Sequence, residues 1–311
     1  VILGPGLGLD CAVVEVGDRL LVLTSDPITF AAEDIGWYAV QINANDLATT
    51  GARPRWFLCT LLLPEGRTTP EIVTQITHNL YSACRNLDVT VIGGHTEITH
   101  GLDRPILAGT MIGEVAREAL VTPQGAQPGD SLLLTKGVPI EATAILAREF
   151  AGRLVDTLSP AELVQAQHYL YNPGLSIVRD AQLAVRAGRV TAMHDPTEGG
   201  IAAALWELAQ ASQCTLVVNP EAIPIPALAG RVCRTFGLDP LAAIASGALL
   251  LTCPAAAADN IKHSLEQAGI TCRDIGWVEP GPPEVWSQTP TERSLLAYPD
   301  RDEIARLFDA T

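Results

Sequence analysis

Four acidic residues sit where hydrophobic packing gives no reason for an acid. Asp10 closes the loop Gly4-Pro5-Gly6-Leu7-Gly8-Leu9, and Asp26 ends an apolar run in Thr24-Ser25-Asp26-Pro27. Asp46 follows Asn45 in the middle of a helical pattern, where both residues have poor propensity and compete for backbone hydrogen bonds. Asp195 lies between an apolar run and a glycine pair, in His194-Asp195-Pro196-Thr197-Glu198-Gly199-Gly200. Carboxylates near glycine loops suit a hard cation such as magnesium, which takes few side chains and keeps phosphate and water among its ligands. Strand ends and helix starts are also where ligands collect. Each acid has a plainer reading as well. Asp10 and Asp26 fit ordinary turns, and Asp195 fits the cap of the helix that follows. Asp46 resists this, because a mid-helix Asn-Asp costs stability unless something engages it.

The other candidates are glycines, histidines and one lysine. Gly93-Gly94-His95-Thr96-Glu97 follows the apolar run Val89–Ile92. Paired glycines let a backbone approach a ligand closely; a tight turn capped by Thr96 fits the same residues. The Gly4–Gly8 loop is neither a Walker loop nor a clean dinucleotide fingerprint after a strand. His95 can serve as acid or base or simply hydrogen-bond within its turn, and His194 has the same two readings. Lys136, at the end of the run Leu132–Thr135, can contact phosphate or stay a solvated lysine. No histidine spacing resembles a zinc helix. Cys11 reads as a small buried hydrophobe, and Asp300, Asp302 and Glu303 read as a solvated helix face.

These residues need elements to hold them. Cys11–Val16 and Leu20–Ser25 read as strands joined by the turn Gly17-Asp18-Arg19. A helix follows with Asp34 as its N-cap and Gly51 as its stop, then a strand over Trp56–Leu63. Thr69 and Pro70 open a second helix with Ile72, Ile76, Leu80, Ala83 and Leu87 on one face. Strands are expected at Val89–Ile92, ending on Gly93-Gly94, and at Ile106–Val115. Gly125-Ala126-Gln127-Pro128-Gly129-Asp130 reads as the interdomain link, giving domains 1–124 and 125–311. In the second, strands at Ser131–Thr135, Val190–Met193, Leu216–Asn219, Ala248–Cys253 and Ile270–Val278 alternate with helices. Those helices cover Glu141–Phe150, Ala161–Tyr171, a stretch from Asn172-Pro173 to Gly188, Ile201–Ala211 and Asp259–Ala268. Mixed order without regular βαβ units favours an α+β fold over a doubly wound sheet.

The 311 residues suffice for two domains, each with a core. With 48% hydrophobic and 18% charged residues the chain is globular. A net charge of −15 speaks against a nucleic-acid partner, though not against nucleotides held through a bridging metal. Apolar runs fall far short of the roughly 20 residues of a membrane span. The seven cysteines are scattered and never form CxxC, which favours reduced, buried thiols and a cytoplasmic setting. Because the chain opens at Val1 directly on the glycine-rich loop, a preceding segment is expected.

Taken in order, these segments resemble the aminoimidazole ribonucleotide synthetase superfamily of ATP-dependent enzymes. The resemblance rests on Gly4–Val14, Thr24-Ser25-Asp26, Asn45-Asp46-Leu47-Ala48 through Gly51-Ala52-Arg53-Pro54, Gly93–Glu97 and His194–Gly200. Asp34-Ile35-Gly36, Asn45–Ala48 and Asp195-Pro196-Thr197 before Gly199-Gly200 look most like its hydrogenase-maturation branch. This implies two α+β domains, the first binding ATP and pairing as a homodimer through its strands, with ATP between the domains and near the dimer interface. Asp10, Asp26, Asp46 and Asp195 would be magnesium–phosphate ligands, and Asp46 and His95 the catalytic residues. Gly6, Gly8, Asn45, Gly93, Gly94, Glu97 and Lys136 would contact the nucleotide. The implied chemistry passes a phosphoryl group from ATP to an amide, carboxyl or related oxygen, driving dehydration or ring closure; a simple kinase like thiamine monophosphate kinase, or an ATP-binding scaffold without turnover, are the alternatives. Two departures stand out. The hydrogenase enzyme acts on its own C-terminal cysteine, whereas this chain ends Leu307-Phe308-Asp309-Ala310-Thr311. That branch also carries Asp-Thr-Lys where this chain has His95-Thr96-Glu97, which looks more like selenophosphate synthetase. The acceptor therefore stays open.

Overall fold

The computed structural model describes residues 1–6, 9–29 and 34–308; Gly8 of the glycine loop lies outside the described residues. The chain divides into two units, Val1–Leu120 and Val121–Thr311. The division falls ahead of Gly125–Asp130, which folds with the second unit: Asp130 accepts hydrogen bonds from the Gln127 N–H and the Thr191 hydroxyl.

The first unit opens with the expected hairpin, β1 (Ala12–Val16) and β2 (Arg19–Thr24), turned at Gly17 with φ +63°. After β3 (Pro27–Ile28) comes α1 (Ile35–Thr49), then β4 (Arg53–Pro64), α2 (Pro70–Asn86), β5 (Thr90–Thr99) and β6 (Ile106–Val115). The sheet order is β1-β2-β6-β4-β5, with β3 beside β6; only β4 and β5 run parallel. Helix α1 packs on β6 and α2 and buries nearly its whole circumference. Gly36 permits this, because a Cβ there would stand 2.4 Å from the Ile76 carbonyl of α2. Asp34 precedes α1 in a left-handed conformation without capping it by its side chain; its carboxylate instead accepts from Asn79 Nδ2 of α2 at 2.6 Å. Thr69 does cap α2, and Ile76, Leu80 and Ala83 form the buried stripe the spacing predicts. Ile72, expected on that stripe, is partly exposed.

The second unit contains β7 (Asp130–Thr135), α3 (Ile140–Glu149), α4 (Ala151–Leu154), α5 (Pro160–Gln167), α6 (Val178–Ala187), β8 (Ala192–His194) and α7 (Gly200–Ser212). It continues with β9 (Thr215–Val218), α8 (Ala227–Phe236), β10 (Leu250–Pro254), α9 (Ala255–Gln267), β11 (Cys272–Glu279), β12 (Val285–Gln288), β13 (Arg293–Leu295) and α10 (Ala305–Phe308). The sheet order is β13-β12-β9-β11-β7-β10-β8. Leu132, Leu134, Leu216, Val218 and Leu250 pack with Ile201, Leu205 and Leu208 of α7 in one core. Leu133 alternates to the opposite face and is equally buried. Neither α8, β12 nor β13 is among the elements expected from sequence. Among the described residues, no helix is long and apolar enough to cross a membrane.

Candidate functional site

Three of the four acids belong to the first unit, and a threonine and an asparagine tie their segments together. Thr24 ends β2 with its hydroxyl 2.8 Å from the Asp10 carbonyl and 2.8 Å from Asp46 Oδ2. One hydroxyl hydrogen serves both acceptors, so the loop carrying Asp10 and the helix carrying Asp46 are fixed to one strand end. Asn43, one turn before Asp46 on α1, does the same for Asp26. Its Oδ1 accepts from the Asp26 N–H at 3.0 Å, while its Nδ2 donates to the Ala39 carbonyl at 2.8 Å and, more weakly, to the Asp26 carbonyl at 3.4 Å. The Asp26 carbonyl also accepts from the Gly109 N–H at 2.9 Å. Position 109 is restricted to glycine because a Cβ would lie 2.7 Å from Asn43 Nδ2.

Burial grades these acids. Asp46 is only 3% exposed and Asn45 is fully buried; Asp26 is half-buried and Asp10 exposed. A buried acid in a helix interior costs stability unless it is hydrogen-bonded or paired with a cation, and Thr24 provides one such partner. Thr24 enters the sequence pattern only as the start of a motif, and Asn43 not at all. The available signal for Asn43 was the same as for Asp46, an amide in the middle of an otherwise apolar helix.

The glycine pair is not a loop. Gly93 and Gly94 lie within β5, which runs on to Thr99, and the strand pairs in parallel with β4, Cys59 opposite Gly94 and Thr60 opposite His95. Gly94 has φ +147°, and a Cβ there would lie 2.0 Å from the Cys59 carbonyl. Gly94 thus serves a close strand approach. His95 and Glu97 are both exposed, their side chains 3.8 Å apart. They stand on the sheet's edge strand, with β4 and β6 between them and β2, the strand whose Thr24 holds Asp46.

In the second unit, β8 delivers His194 and Asp195, both buried. His194 Nε2 is 2.7 Å from Glu207 Oε2 of α7. Asp195 does not cap α7. Gly199 takes that position at φ +75°, and its N–H donates to Asp302 Oδ2 at 2.7 Å. Gly200 follows at φ +62°, where a Cβ would stand 2.6 Å from the carbonyls of Leu241 and Ala243. Asp302, expected on a solvated face, is instead drawn in by the N–H groups of Gly199 and Ile304, and burial pushes its carboxyl up.

Lys136 departs from its expected role. Its backbone is left-handed at φ +57°, and its ammonium is buried, donating to the Ser176 carbonyl at 2.6 Å and lying 3.4 Å from Asp180 Oδ1. Burial pushes its pKa down, opposed by Asp180. It is an internal cation here, not one displayed to a phosphate. The cysteines are free thiols; burial raises Cys84, Cys233, Cys253 and Cys272 to about 12, which leaves them inert as nucleophiles.

Residues 8–115 match the family model described as AIR synthase related protein, N-terminal domain, and residues 127–286 match that family's C-terminal domain. A hydrogenase expression/formation protein of Methanocaldococcus jannaschii is 28% identical, over 97% of this chain and 90% of that protein. The carbamoyl dehydratase HypE of Azotobacter vinelandii is 30% identical over 82% of this chain and 74% of its own length. Among solved structures, the hydrogenase maturation protein HypE in complex with ATP superposes with a TM-score of 0.76 at 25% identity, covering 90% of this chain and 85% of that one. With both domain models matched in order over the fold and residues just described, this chain belongs to the AIR synthase related family.

Proposed function

We propose that this protein is an ATP- and magnesium-dependent enzyme that phosphorylates an amide, carboxyl or related oxygen, so that the phosphate leaves in a dehydration or ring closure. The observation that carries the reading is the Thr24 bridge: it fixes the Asp10 loop, the β2 end before Asp26 and the Asp46 helix to one point of the first unit. Carboxylates held there are the hard oxygen donors magnesium prefers, so the residues fit the ion. Asp10, Asp26 and Asp46 would hold it, with Asp195 proposed as a metal–phosphate ligand of the second unit. Bound magnesium would neutralise phosphate charge. The chain's own part is positioning: Thr24 and Asn43 set the acids before nucleotide arrives, which lowers the reorganisation cost of phosphoryl transfer. The similarity to an ATP-bound HypE supports the nucleotide, and the similarity to carbamoyl dehydratases supports an amide-type acceptor.

The reading includes a homodimer joined at β5, whose outer edge has no strand partner among the described residues and which exposes Ile92 and Ile98. In it, His95 and Glu97 would lie at the subunit interface and contribute from there. The decisive test is Asp46→Asn, a nearly isosteric change that keeps an acceptor for Thr24. Calorimetry should show magnesium-ATP affinity falling at least tenfold with an unaltered circular dichroism spectrum. Unchanged affinity would sink the carboxylate assignment. Release of free phosphate, as against a stable phosphorylated product, separates the dehydration chemistry from a plain kinase.

A further inference from the structure

The turn that follows Asp195 has no side chain of its own to close it. Gly199 takes the N-cap position of α7 and Gly200 follows, both left-handed, so the Gly199 N–H must find its acceptor elsewhere. It finds one 103 residues away: Asp302 Oδ2 accepts it at 2.7 Å, while Asp302 Oδ1 accepts from the Ile304 N–H at 2.9 Å. Both carboxylate oxygens are thereby engaged, and the charge stands at the positive end of a 13-residue helix. Burial pushes the Asp302 carboxyl up, while the N–H groups of Gly199, Ile304 and Ile244 draw it back toward the ionised form.

The segment that carries Asp302 is strapped across this turn. Trp206 Nε1 of α7 fastens its start, donating to the Leu296 carbonyl at 3.0 Å, and the Phe308 ring fastens its end, 5.4 Å from that of Phe150. Between them Pro299 lies against Gly199, where a Cβ would stand 3.0 Å from the proline ring. Residues 239–246 close the other side. The Leu241 carbonyl accepts from the Ala202 N–H at 2.9 Å, the Ala245 N–H donates to the Thr197 carbonyl at 3.3 Å, and the Glu303 N–H donates to the Ala242 carbonyl at 3.1 Å. Three segments far apart in sequence thus frame the turn, and the Asp302 carboxylate hydrogen-bonds the strap to it.

A carboxylate in this place has two possible uses. It can set the turn, and Asp195 with it, or it can stand in for a ligand phosphate, which favours the same kind of helix end. The frame favours the first. The Gly200 and Ala202 N–H groups are already taken by the carbonyls of Thr197 and Leu241. Losing Asp302 would free the Gly199 N–H, whereas a phosphate cradle draws on several N–H groups together. We propose that Asp302 is a positioning residue, holding the Gly199 turn and through it setting Asp195. The inference rests on the reading of Asp195 as a metal–phosphate ligand given above.

The test uses Asp302→Asn in the full chain, a nearly isosteric change that offers one acceptor to two N–H groups. Its magnesium-ATP affinity by calorimetry should fall about fivefold. Glu303→Gln, which alters the strap where it accepts from the Asp239 N–H, should change affinity by less than about twofold. In an Asp195→Asn background, Asp302→Asn should make no further difference, because its effect passes through Asp195. Additive losses would make Asp302 a general structural residue, and tighter binding would make it a competitor of phosphate; either overturns the proposal, as does unchanged affinity. Amide hydrogen exchange without nucleotide separates this inference from the nucleotide reading. Residues 196–200 should exchange faster in Asp302→Asn than in wild type, and equal exchange sinks the hold on the turn whether or not nucleotide binds. A wild type that binds no magnesium-ATP sinks the nucleotide reading and the step through Asp195 with it, while faster exchange would still assign the hold on the turn to Asp302.

Discussion

Asp46 on α1 and Glu141 on α3 are both helical acids that are at least 95% buried, yet they meet the cost of burial differently. Asp46 is braced by the Thr24 hydroxyl. Glu141 has the hydroxyl and backbone of Ser246 beside it, yet burial outweighs their help and pushes its pKa from 4.5 up to about 7. The contrast separates two kinds of poised acid. One is braced by a hydroxyl from a strand end; the other is governed chiefly by its burial.

The largest expected effect is a pH dependence peculiar to Glu141. Below pH 4.5 the carboxyl is protonated in folded and unfolded chains alike, so the stability it lends is fully present. Between 4.5 and about 7 the unfolded chain ionises while the folded chain keeps its proton; the unfolded state then binds fewer protons, and stability falls as pH rises. The loss reaches about 3 kcal/mol above pH 7. Denaturant melts from pH 4 to 8 should show it as the difference between wild type and Glu141→Gln. Parallel curves for the two proteins would mean that Glu141 is ionised at little cost and that the contrast with Asp46 is false.

The second prediction breaks the other side of the comparison. Thr24→Val keeps the shape of the side chain but removes the hydroxyl that joins Asp10 to Asp46. It should cost about 1–3 kcal/mol, because the buried Asp46 carboxylate and the part-buried Asp10 carbonyl lose a shared donor, and magnesium-ATP should bind several-fold more weakly as the Asp10 loop loses its anchor. In the second unit Ser246→Ala should cost less, and it should push the Glu141 carboxyl further up, because the Ser246 hydroxyl favours its ionised form. Equal destabilisation by the two substitutions would remove the distinction between an acid governed by its brace and one governed by its burial.

What could be read in the sequence follows the range of the interactions involved. The β1–β2 turn at Gly17, the Thr69-Pro70 start of α2 and the anomaly of Asn45-Asp46 are local, and each was legible as residue type plus spacing. The family pattern likewise gave the two-domain α+β architecture. The glycine pair Gly93-Gly94 was misread as a strand end because its cause, the approach of the Cys59 carbonyl, lies 35 residues earlier. Asp302 looked solvated because its partner, the Gly199 N–H, is 103 residues away. Glu141 had only the appearance of an ordinary first-turn acid. Its burial depends on how the connection around Ser246 folds against α3, which no local pattern encodes. Lys136 followed the same rule: Asp180, which turns it inward, is on a separate helix.

The smallest effect on folding should come from the sheet edge. Ile92 and Ile98 are 52% and 58% exposed on β5, a strand whose outer side pairs with no strand among the described residues. Natural sheets generally protect such edges with charge, proline or a covering element; an exposed apolar edge is either a liability or an interface. The double change Ile92→Lys, Ile98→Lys places charge where little packing exists within the chain, so the stability of the single subunit should move by less than about 0.5 kcal/mol. Self-association should fall sharply, read as mass by light scattering across a dilution series. If His95 and Glu97 contribute from the interface, ATP turnover should follow the loss of the dimer, not the small change in stability. A variant that stays dimeric would show that β5 is not the contact, and would move His95 and Glu97 out of the proposed site.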